Sequence, residues 1–154
     1  MELKAGDKAP KFRLATDGGG EVSSAALKGR PYVLYFYPKD DTSGCTAEAI
    51  AFNGLRAKFA AAGTALIGVS PDNAASHDRF KRKHDLQFAL AADPERTAIE
   101  AYGVWKEKSM YGRKYFGVER STFLIGRDGR VARVWRKVKV PGHAEEVLAA
   151  AKAL

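Results

Sequence analysis

The feature that most constrains the fold of this chain is an uninterrupted run of apolar and aromatic residues, Tyr32-Val33-Leu34-Tyr35-Phe36-Tyr37. A run that is apolar at every position predicts a central strand buried on both faces, and Pro38 ends it. A second run of this kind covers residues 65–69, and a helix is predicted between the two, from about Ser43 to Ala62. Because a helix joins the two strands, we expect them to be parallel.

The remaining segments continue the alternation of helices and strands. Helices are predicted over residues 74–84 and 96–102, with a short strand at 88–91, and a final helix over 144–152. A hairpin is predicted where residues 121–125 and 130–138 flank Arg127-Asp128-Gly129, since Asp-Gly between apolar runs indicates a tight turn. This order predicts an α/β protein that resembles the thioredoxin-like fold, with a central mixed β-sheet flanked by helices and an N-terminal extension. A length of 154 residues fits a single domain, residues 1–154.

The sequence also predicts which side chains of the long helix face the core and which residue ends it. Ile50, Leu55 and Phe59 are predicted to supply its apolar face, and Gly63 to cap its C-terminus. Three aromatic residues later in the chain, Trp105, Tyr111 and Tyr115, are expected to be packing residues, and lining of the pocket mouth is the alternative role for some of them.

Composition excludes several classes of protein. The chain has a net charge of +8, but its basic residues are dispersed along the sequence, so we expect no nucleic-acid binding. No stretch approaches the roughly 18 continuous apolar residues of a membrane helix, and residues 1–7 contain no apolar signal segment. A single cysteine excludes an internal disulfide and favours a cytoplasmic location. We expect no cofactor and no metal, since there is no dinucleotide fingerprint and His77, His84 and His143 lack ligand spacing.

The one cysteine, Cys45, falls in the first turn of the helix that follows the central strand. Free N–H groups and the helix dipole favour a thiolate there, whereas an inert buried cysteine is the alternative interpretation. A free thiol with a pKa of about 8.5 is only ~3% ionised at neutral pH. A helix terminus supplies about 0.3–1 kcal/mol, and at best ~2 kcal/mol, so a predominant thiolate requires a nearby cation.

The residues around Cys45 resemble a known family. Pro38, Thr42 and Cys45 form the pattern P-x-x-x-T-x-x-C, which is typical of peroxiredoxins. The wider segment Tyr35-Phe36-Tyr37-Pro38-Lys39-Asp40-Asp41-Thr42-Ser43-Gly44-Cys45-Thr46 resembles the Q-type, or bacterioferritin-comigratory-protein, subfamily. Further segments that resemble this subfamily are Gly6 to Phe12, Tyr102 to Trp105, Arg120 to Ile125 and Val138 to Ala144.

This resemblance implies a role for each matching residue. Cys45 would attack the peroxide, and the Thr42 hydroxyl would lie against the thiolate and the peroxide oxygen. Pro38 would shield the thiolate from water, Arg120 would be the required cation, and Glu48 would support that arginine. The implied activity is reduction of hydrogen peroxide and organic hydroperoxides through a cysteine sulfenic acid, with thioredoxin or glutaredoxin and glutathione as reductant. We also expect a monomer.

The chain departs from the family pattern in two ways. Ser43 stands where proline is frequent, and Ile50 and Lys81 stand where a resolving cysteine often occurs. An external thiol must therefore reduce the sulfenic acid. A thiol–disulfide oxidoreductase is the less favoured alternative, because Cys-x-x-Cys is replaced by Thr42-x-x-Cys45. A peroxide-sensing protein that uses the same cysteine is the other alternative.

Overall fold

A computed structural model describes residues 2–154, so Met1, with which the expected domain begins, lies outside the described residues. Seven strands form one mixed sheet in the order β2-β1-β5-β4-β3-β8-β9, and β6 and β7 form a separate hairpin. The strands are β1 (Arg13–Thr16), β2 (Glu21–Ser23), β3 (Tyr32–Phe36), β4 (Ala65–Ser70), β5 (Ala89–Ala92), β6 (Trp105–Met110), β7 (Arg113–Val118), β8 (Ser121–Ile125) and β9 (Val131–Trp135).

Five α-helices within the described residues complete the fold. They are α1 (Ser43–Gly54), α2 (Arg56–Ala61), α3 (Ala74–His84), α4 (Thr97–Ala101) and α5 (His143–Lys152). The single helix predicted over Ser43 to Ala62 is therefore wrong in one respect, because it breaks at Leu55, whose φ is −103° and ψ is 2°. Gly54, a poor helix former, directly precedes the break and weakens the helix there.

The central strand β3 is buried on both faces, as its sequence predicts. It runs parallel to β4, with Leu34 opposite Ile67, and antiparallel to β8, with Leu34 opposite Phe123. Alternate side chains of β3 enter two cores on opposite faces of the sheet, so Phe36 joins one core and Tyr35 the other. The parallel pairing of β3 and β4 and the mixed α/β architecture are confirmed.

The predicted apolar face of the first helix is only partly correct. Phe59 is buried and Leu55 is partly buried, but Ile50 is 51% exposed. The inward face of α1 is carried instead by Cys45, Ala49 and Phe52, with Phe52 stacked on Tyr35 at 4.7 Å between ring centroids. Positions 45, 49 and 52 follow helical spacing, and Ile50 lies one residue out of that phase. Gly63 adopts a φ of +68° at the end of α2, as expected for a C-terminal glycine cap.

The hairpin of β6 and β7 does not appear among the sequence-based predictions. Its turn consists of Tyr111 and Gly112, both with positive φ, which is the geometry that tight hairpins require. Tyr111 is 98% exposed and Tyr115 is 42% exposed, so the expectation that they are packing residues is wrong. Trp105 is partly buried against the core and lies under the Arg96 guanidinium at 4.5 Å. Across residues 2–154, no helix has the length and apolar character needed to cross a membrane.

Candidate active site

Cys45 lies in the first turn of α1, where the chain re-enters the fold after β3. The thiol is free and only 1% exposed. Thr42 precedes the helix in an extended conformation and its side chain makes no cap hydrogen bond, so no side chain competes at this N-cap for the N–H groups of the first turn. Those N–H groups and the helix dipole favour negative charge at the sulfur.

Arg120 reaches this cysteine from the other side of the site. Arg120 Nη2 donates to Cys45 Sγ at 3.3 Å, and Nη1 donates to Glu48 Oε1 at 2.7 Å. The contact follows from topology, because Arg120 directly precedes β8, whose Ser121 is paired with Phe36 at the end of β3. Residues 75 positions apart in sequence therefore meet at one end of the sheet.

Glu48 lies one helical turn after Cys45 and is buried against the arginine. The side chains of Glu48 and Arg120 are 1% and 17% exposed, and Glu48 Oε2 has no hydrogen-bond partner within residues 2–154. Burial, only partly offset by Arg120, raises the pKa of Glu48 to about 7. Burial alone would lower the pKa of Arg120, but the charges of Glu48 and Cys45 outweigh it and raise that pKa. Arg120 therefore stays charged beside the sulfur.

A second cation approaches from the hairpin. Lys108 Nζ donates to the Val118 carbonyl at 2.5 Å. Burial, and secondly the charge of Arg120, lower the pKa of Lys108, while the charges of Glu119 and Cys45 act in the opposite direction. Lys108 therefore lies close enough to Arg120 and Cys45 for their charges to act on it.

Thr42 and Pro38 border the site without a hydrogen bond to the sulfur. Thr42 is exposed, and its Oγ1 donates to the Lys39 carbonyl at 2.9 Å. Pro38 is partly exposed and directly follows β3. Both residues belong to the loop 38–42 that joins β3 to α1, which we call the catalytic loop.

Gly44 is a site residue to which the sequence analysis assigns no role. A Cβ at this position would lie 3.1 Å from Arg120 Nη2, the atom that donates to Cys45. Glycine therefore permits the close approach of the guanidinium to the first turn of α1. The sequence shows that Gly44 directly precedes Cys45, but the need for glycine there arises from its contact with Arg120, which is distant in sequence.

The catalytic loop is also bound to α3 through its two aspartates. Asp40 Oδ2 lies 2.7 Å from His77 Nδ1, and both side chains are almost completely buried. Burial would raise the pKa of Asp40, but hydrogen bonds from His77, Tyr37 and Ser76 outweigh it and lower that pKa. Asp41 is exposed and pairs with Lys83 and His84 at 2.7 and 3.0 Å.

The two positions at which a resolving cysteine often occurs, 50 and 81, hold no redox-active side chain. Ile50 is exposed on α1, and Lys81 Nζ pairs with Asp17 Oδ2 at 2.6 Å. Over the described chain, 2–154, no group of three or more potential ligand side chains is placed to hold a metal. His143 is buried, its Nε2 lies 2.8 Å from Thr122 Oγ1, and burial lowers its pKa to about 4.

Comparison with known proteins identifies the family of this chain. Residues 5–134 match the AhpC/TSA family, and the chain belongs to that family, the peroxiredoxins. Among its relatives, peroxiredoxin Bcp of Bacillus subtilis is 48% identical over 148 residues, which cover 96% of this chain and 94% of the relative.

Solved structures agree in both sequence and fold. Peroxiredoxin Q of Xanthomonas campestris is 45% identical, with a TM-score of 0.91 over 97% of each chain. Structures of the bacterioferritin comigratory protein of the same organism, which address alkyl peroxide reduction, are 44% identical with a TM-score of 0.91, covering 97% of this chain and 98% of theirs. The Q-type resemblance and the thioredoxin-like fold are thus confirmed, and the chain is a thiol-dependent peroxidase. A non-enzymatic peroxide sensor is not favoured.

Proposed function

We propose that Cys45 is the nucleophile that attacks the peroxide and that Arg120 is its principal electrostatic partner. One observation carries this assignment: the guanidinium bridges the sulfur at 3.3 Å and the Glu48 carboxyl at 2.7 Å. An arginine held in this way stabilises the thiolate. Its planar fork can also stabilise charge on the oxygen that departs when the peroxide bond breaks.

The chemical step uses the thiolate, the hydroperoxide and one proton from water. A bond forms between Cys45 Sγ and the terminal peroxide oxygen while the O–O bond breaks. Sulfur is oxidised to the sulfenic acid, the peroxide is reduced, and the departing oxygen takes up a proton from water to leave as water or an alcohol. Glu48 supports this step by fixing the orientation of Arg120.

Thr42 and Pro38 are proposed to form the mouth of the site. The Thr42 hydroxyl uses its proton to bond the Lys39 carbonyl, so its oxygen lone pairs can accept a hydrogen bond from the peroxide hydroxyl. Pro38 has no N–H group and presents an apolar ring, which limits the access of water to the thiolate. We propose hydrogen peroxide and organic hydroperoxides as the substrates, since both carry the hydroxyl that Thr42 would bind.

Reduction of the sulfenic acid requires a thiol from outside the chain, because Cys45 is the only cysteine. The first external thiol forms a mixed disulfide and releases water, and a second thiol frees Cys45 and leaves as the disulfide. Thioredoxin, or glutaredoxin with glutathione, is the proposed reductant, and a reducing compartment such as the cytoplasm would supply it. We propose that one domain, residues 1–154, carries the whole activity as a monomer.

Peroxide turnover with each reductant tests this assignment. Wild-type protein and Cys45→Ser are compared with hydrogen peroxide and one organic hydroperoxide, first with thioredoxin and then with glutathione and glutaredoxin. Wild type should turn over with at least one pair, and the serine variant should be inactive. Mass spectrometry after peroxide treatment without reductant should show sulfinic and sulfonic acid at Cys45. A serine variant with wild-type turnover would contradict the assignment.

A further inference from the structure

The catalytic loop is anchored in its middle by a buried hydrogen-bond network that does not touch the sulfur. Asp40 Oδ1 accepts from the Tyr37 hydroxyl at 2.6 Å, and Asp40 Oδ2 accepts from the Ser76 hydroxyl at 2.8 Å. His77 Nδ1 lies 2.7 Å from Oδ2, and the Asp40 backbone N–H donates to Asp72 Oδ2 at 2.8 Å. Every side chain that bonds Asp40, apart from Tyr37 at the end of β3, lies on or just before α3.

The hydrogen-bond partners determine where protons must lie in this network. His77 Nε2 is 3.0 Å from the Ala91 carbonyl, which can only accept, so Nε2 carries a proton. The 2.7 Å separation of Nδ1 and Asp40 Oδ2 requires a second proton between them. The Tyr37 and Ser76 hydroxyls both donate to Asp40 and favour its carboxylate. His77 therefore makes hydrogen bonds at both ring nitrogens and joins the catalytic loop to β5.

Anchoring matters because the reactive contact has little tolerance. Cys45 lies five residues after Asp40, and Thr42 between them is the N-cap residue of α1, whose first turn presents the sulfur to Arg120 at 3.3 Å. A shift of the loop by about 1 Å would remove that contact, and misplacements of this size cost up to about 10²-fold in rate. The loop itself contains only one internal side-chain bond among the described residues, from Thr42 to Lys39.

We propose that His77 and Asp40 are positioning residues for the peroxidase reaction, which fix the catalytic loop so that α1 presents Cys45 to Arg120. His77 acts through Nδ1 on Asp40, and its Nε2 bond to Ala91 only orients the ring. The inference rests on the proposed function, since it assumes that Cys45 and Arg120 carry the chemistry.

Two substitutions of His77 separate its two hydrogen bonds. In His77→Asn the amide is attached at Cγ, as Nδ1 is, so it can still donate to Asp40. In His77→Gln the amide lies one bond further, at the level of Nε2, so it keeps Ala91 and loses Asp40. Both variants lose the ring and one hydrogen bond, so we expect similar losses of stability. We expect kcat/KM for hydrogen peroxide to fall about tenfold in His77→Gln and less than about threefold in His77→Asn.

The matched measurements are the urea unfolding midpoint, the thiolate absorbance of Cys45 at neutral pH, and kcat/KM. Asp78→Asn serves as the control on α3, because Asp78 binds the Gly18 N–H at 2.7 Å, away from the catalytic loop. It should leave kcat/KM unchanged. Equal kcat/KM in the Gln and Asn variants, with wild type active, would overturn the inference. An inactive wild type would instead overturn the proposed function.

A variant that keeps His77 guards against loss of folding. Tyr37→Phe retains the ring and removes only the hydroxyl that donates to Asp40 Oδ1. The inference predicts a fall in kcat/KM of about two- to fivefold, with KM less affected than kcat, because the substrate-binding groups stay in place. Wild-type kcat/KM in Tyr37→Phe would count against the network as a positioning device.

Discussion

Two buried carboxyl groups, Asp40 and Glu48, lie on either side of Cys45 in the sequence, and their pKa values are shifted in opposite directions. Glu48 is paired with Arg120 at 2.7 Å and has its pKa raised to about 7, whereas Asp40 is paired with His77 at 2.7 Å and has its pKa lowered. Both carboxyl side chains are at most 4% exposed, and burial by itself acts to raise the pKa of each.

The two carboxyl groups differ in the number of hydrogen bonds that the protein donates to them. Asp40 receives hydroxyl donors from Tyr37 and Ser76 in addition to His77. Glu48 receives one side-chain donor, and its second oxygen has no partner within the described chain, 2–154. A saturated buried carboxylate is a fixed structural anion, while an unsaturated one remains close to gaining a proton. Glu48, whose partner Arg120 contacts Cys45, is the carboxyl group with an unpartnered oxygen and a raised pKa. Asp40, in the catalytic loop, is the carboxyl group that stays ionised.

Removal of Arg120 should have the largest effect on this comparison. In Arg120→Ala we expect kcat/KM for peroxide to fall about 10²–10³-fold, as for loss of one donor to a developing oxyanion. The thiolate fraction of Cys45 at neutral pH should also fall, because the helix terminus alone supplies too little stabilisation. Stopped-flow rates and ultraviolet absorbance against pH measure the two effects.

Arg133→Ala is the matched control for that loss of charge. Arg133 is half exposed and pairs with Glu146 on α5, away from the site, so its removal should leave both readouts unchanged. Superimposable absorbance titrations for wild type and Arg120→Ala would show that Arg120 does not stabilise the thiolate.

Replacement of Glu48 by glutamine should remove a pH dependence of stability. Between its ordinary pKa of 4.5 and the folded value of about 7, the folded protein binds more protons at Glu48 than the unfolded chain does. The contribution of Glu48 to stability therefore declines as pH rises through that window, by about 2 kcal/mol between about pH 5 and pH 8. Buried His143, whose pKa is lowered to about 4, acts in the opposite direction in both proteins, so the Glu48 effect is the difference between them. Glu48→Gln should lack this decline.

Urea unfolding of the two proteins at both pH values measures this difference. Asp40 does not interfere, because its pKa is lowered and its contribution is lost only as pH falls below that window. An identical pH dependence in wild type and Glu48→Gln would place Glu48 with Asp40, as a carboxylate ionised throughout.

Much of the fold follows from local sequence, because β3 and β4 are apolar at consecutive positions and can only be buried on both faces. The hairpin of β6 and β7 could not be found in that way. It is rich in charge, and its Tyr111-Gly112 turn lacks the asparagine or aspartate that usually marks such turns. Ile50 was misplaced because an alanine-rich helix offers few large side chains to define its apolar face.

The candidate site divides along the same line. Cys45 could be placed at a helix start from the sequence, but the identity of the cation, Arg120, came only from the family resemblance. Nothing in the sequence sets the strand pairing of β8 with β3 that brings Arg120 to the sulfur. The link between Asp40 and His77 depends likewise on how α3 is rotated against the sheet, which local periodicity does not fix.

The smallest effect is expected at the exposed pair on the same loop. Asp41 neighbours Asp40 and also binds α3, but it is solvent-exposed, and its partners Lys83 and His84 share that exposure to different degrees. Hydrogen bonds from His84 and Lys83 lower the pKa of Asp41, yet exposed pairs contribute little because water and salt screen them. Its φ of +60° is a conformation that asparagine tolerates, so Asp41→Asn removes the charge without backbone strain. We expect kcat/KM to stay within about twofold of wild type and the urea midpoint to be unchanged. A fall as large as that of His77→Gln would show that charge, and not burial with saturated hydrogen bonds, fixes the catalytic loop.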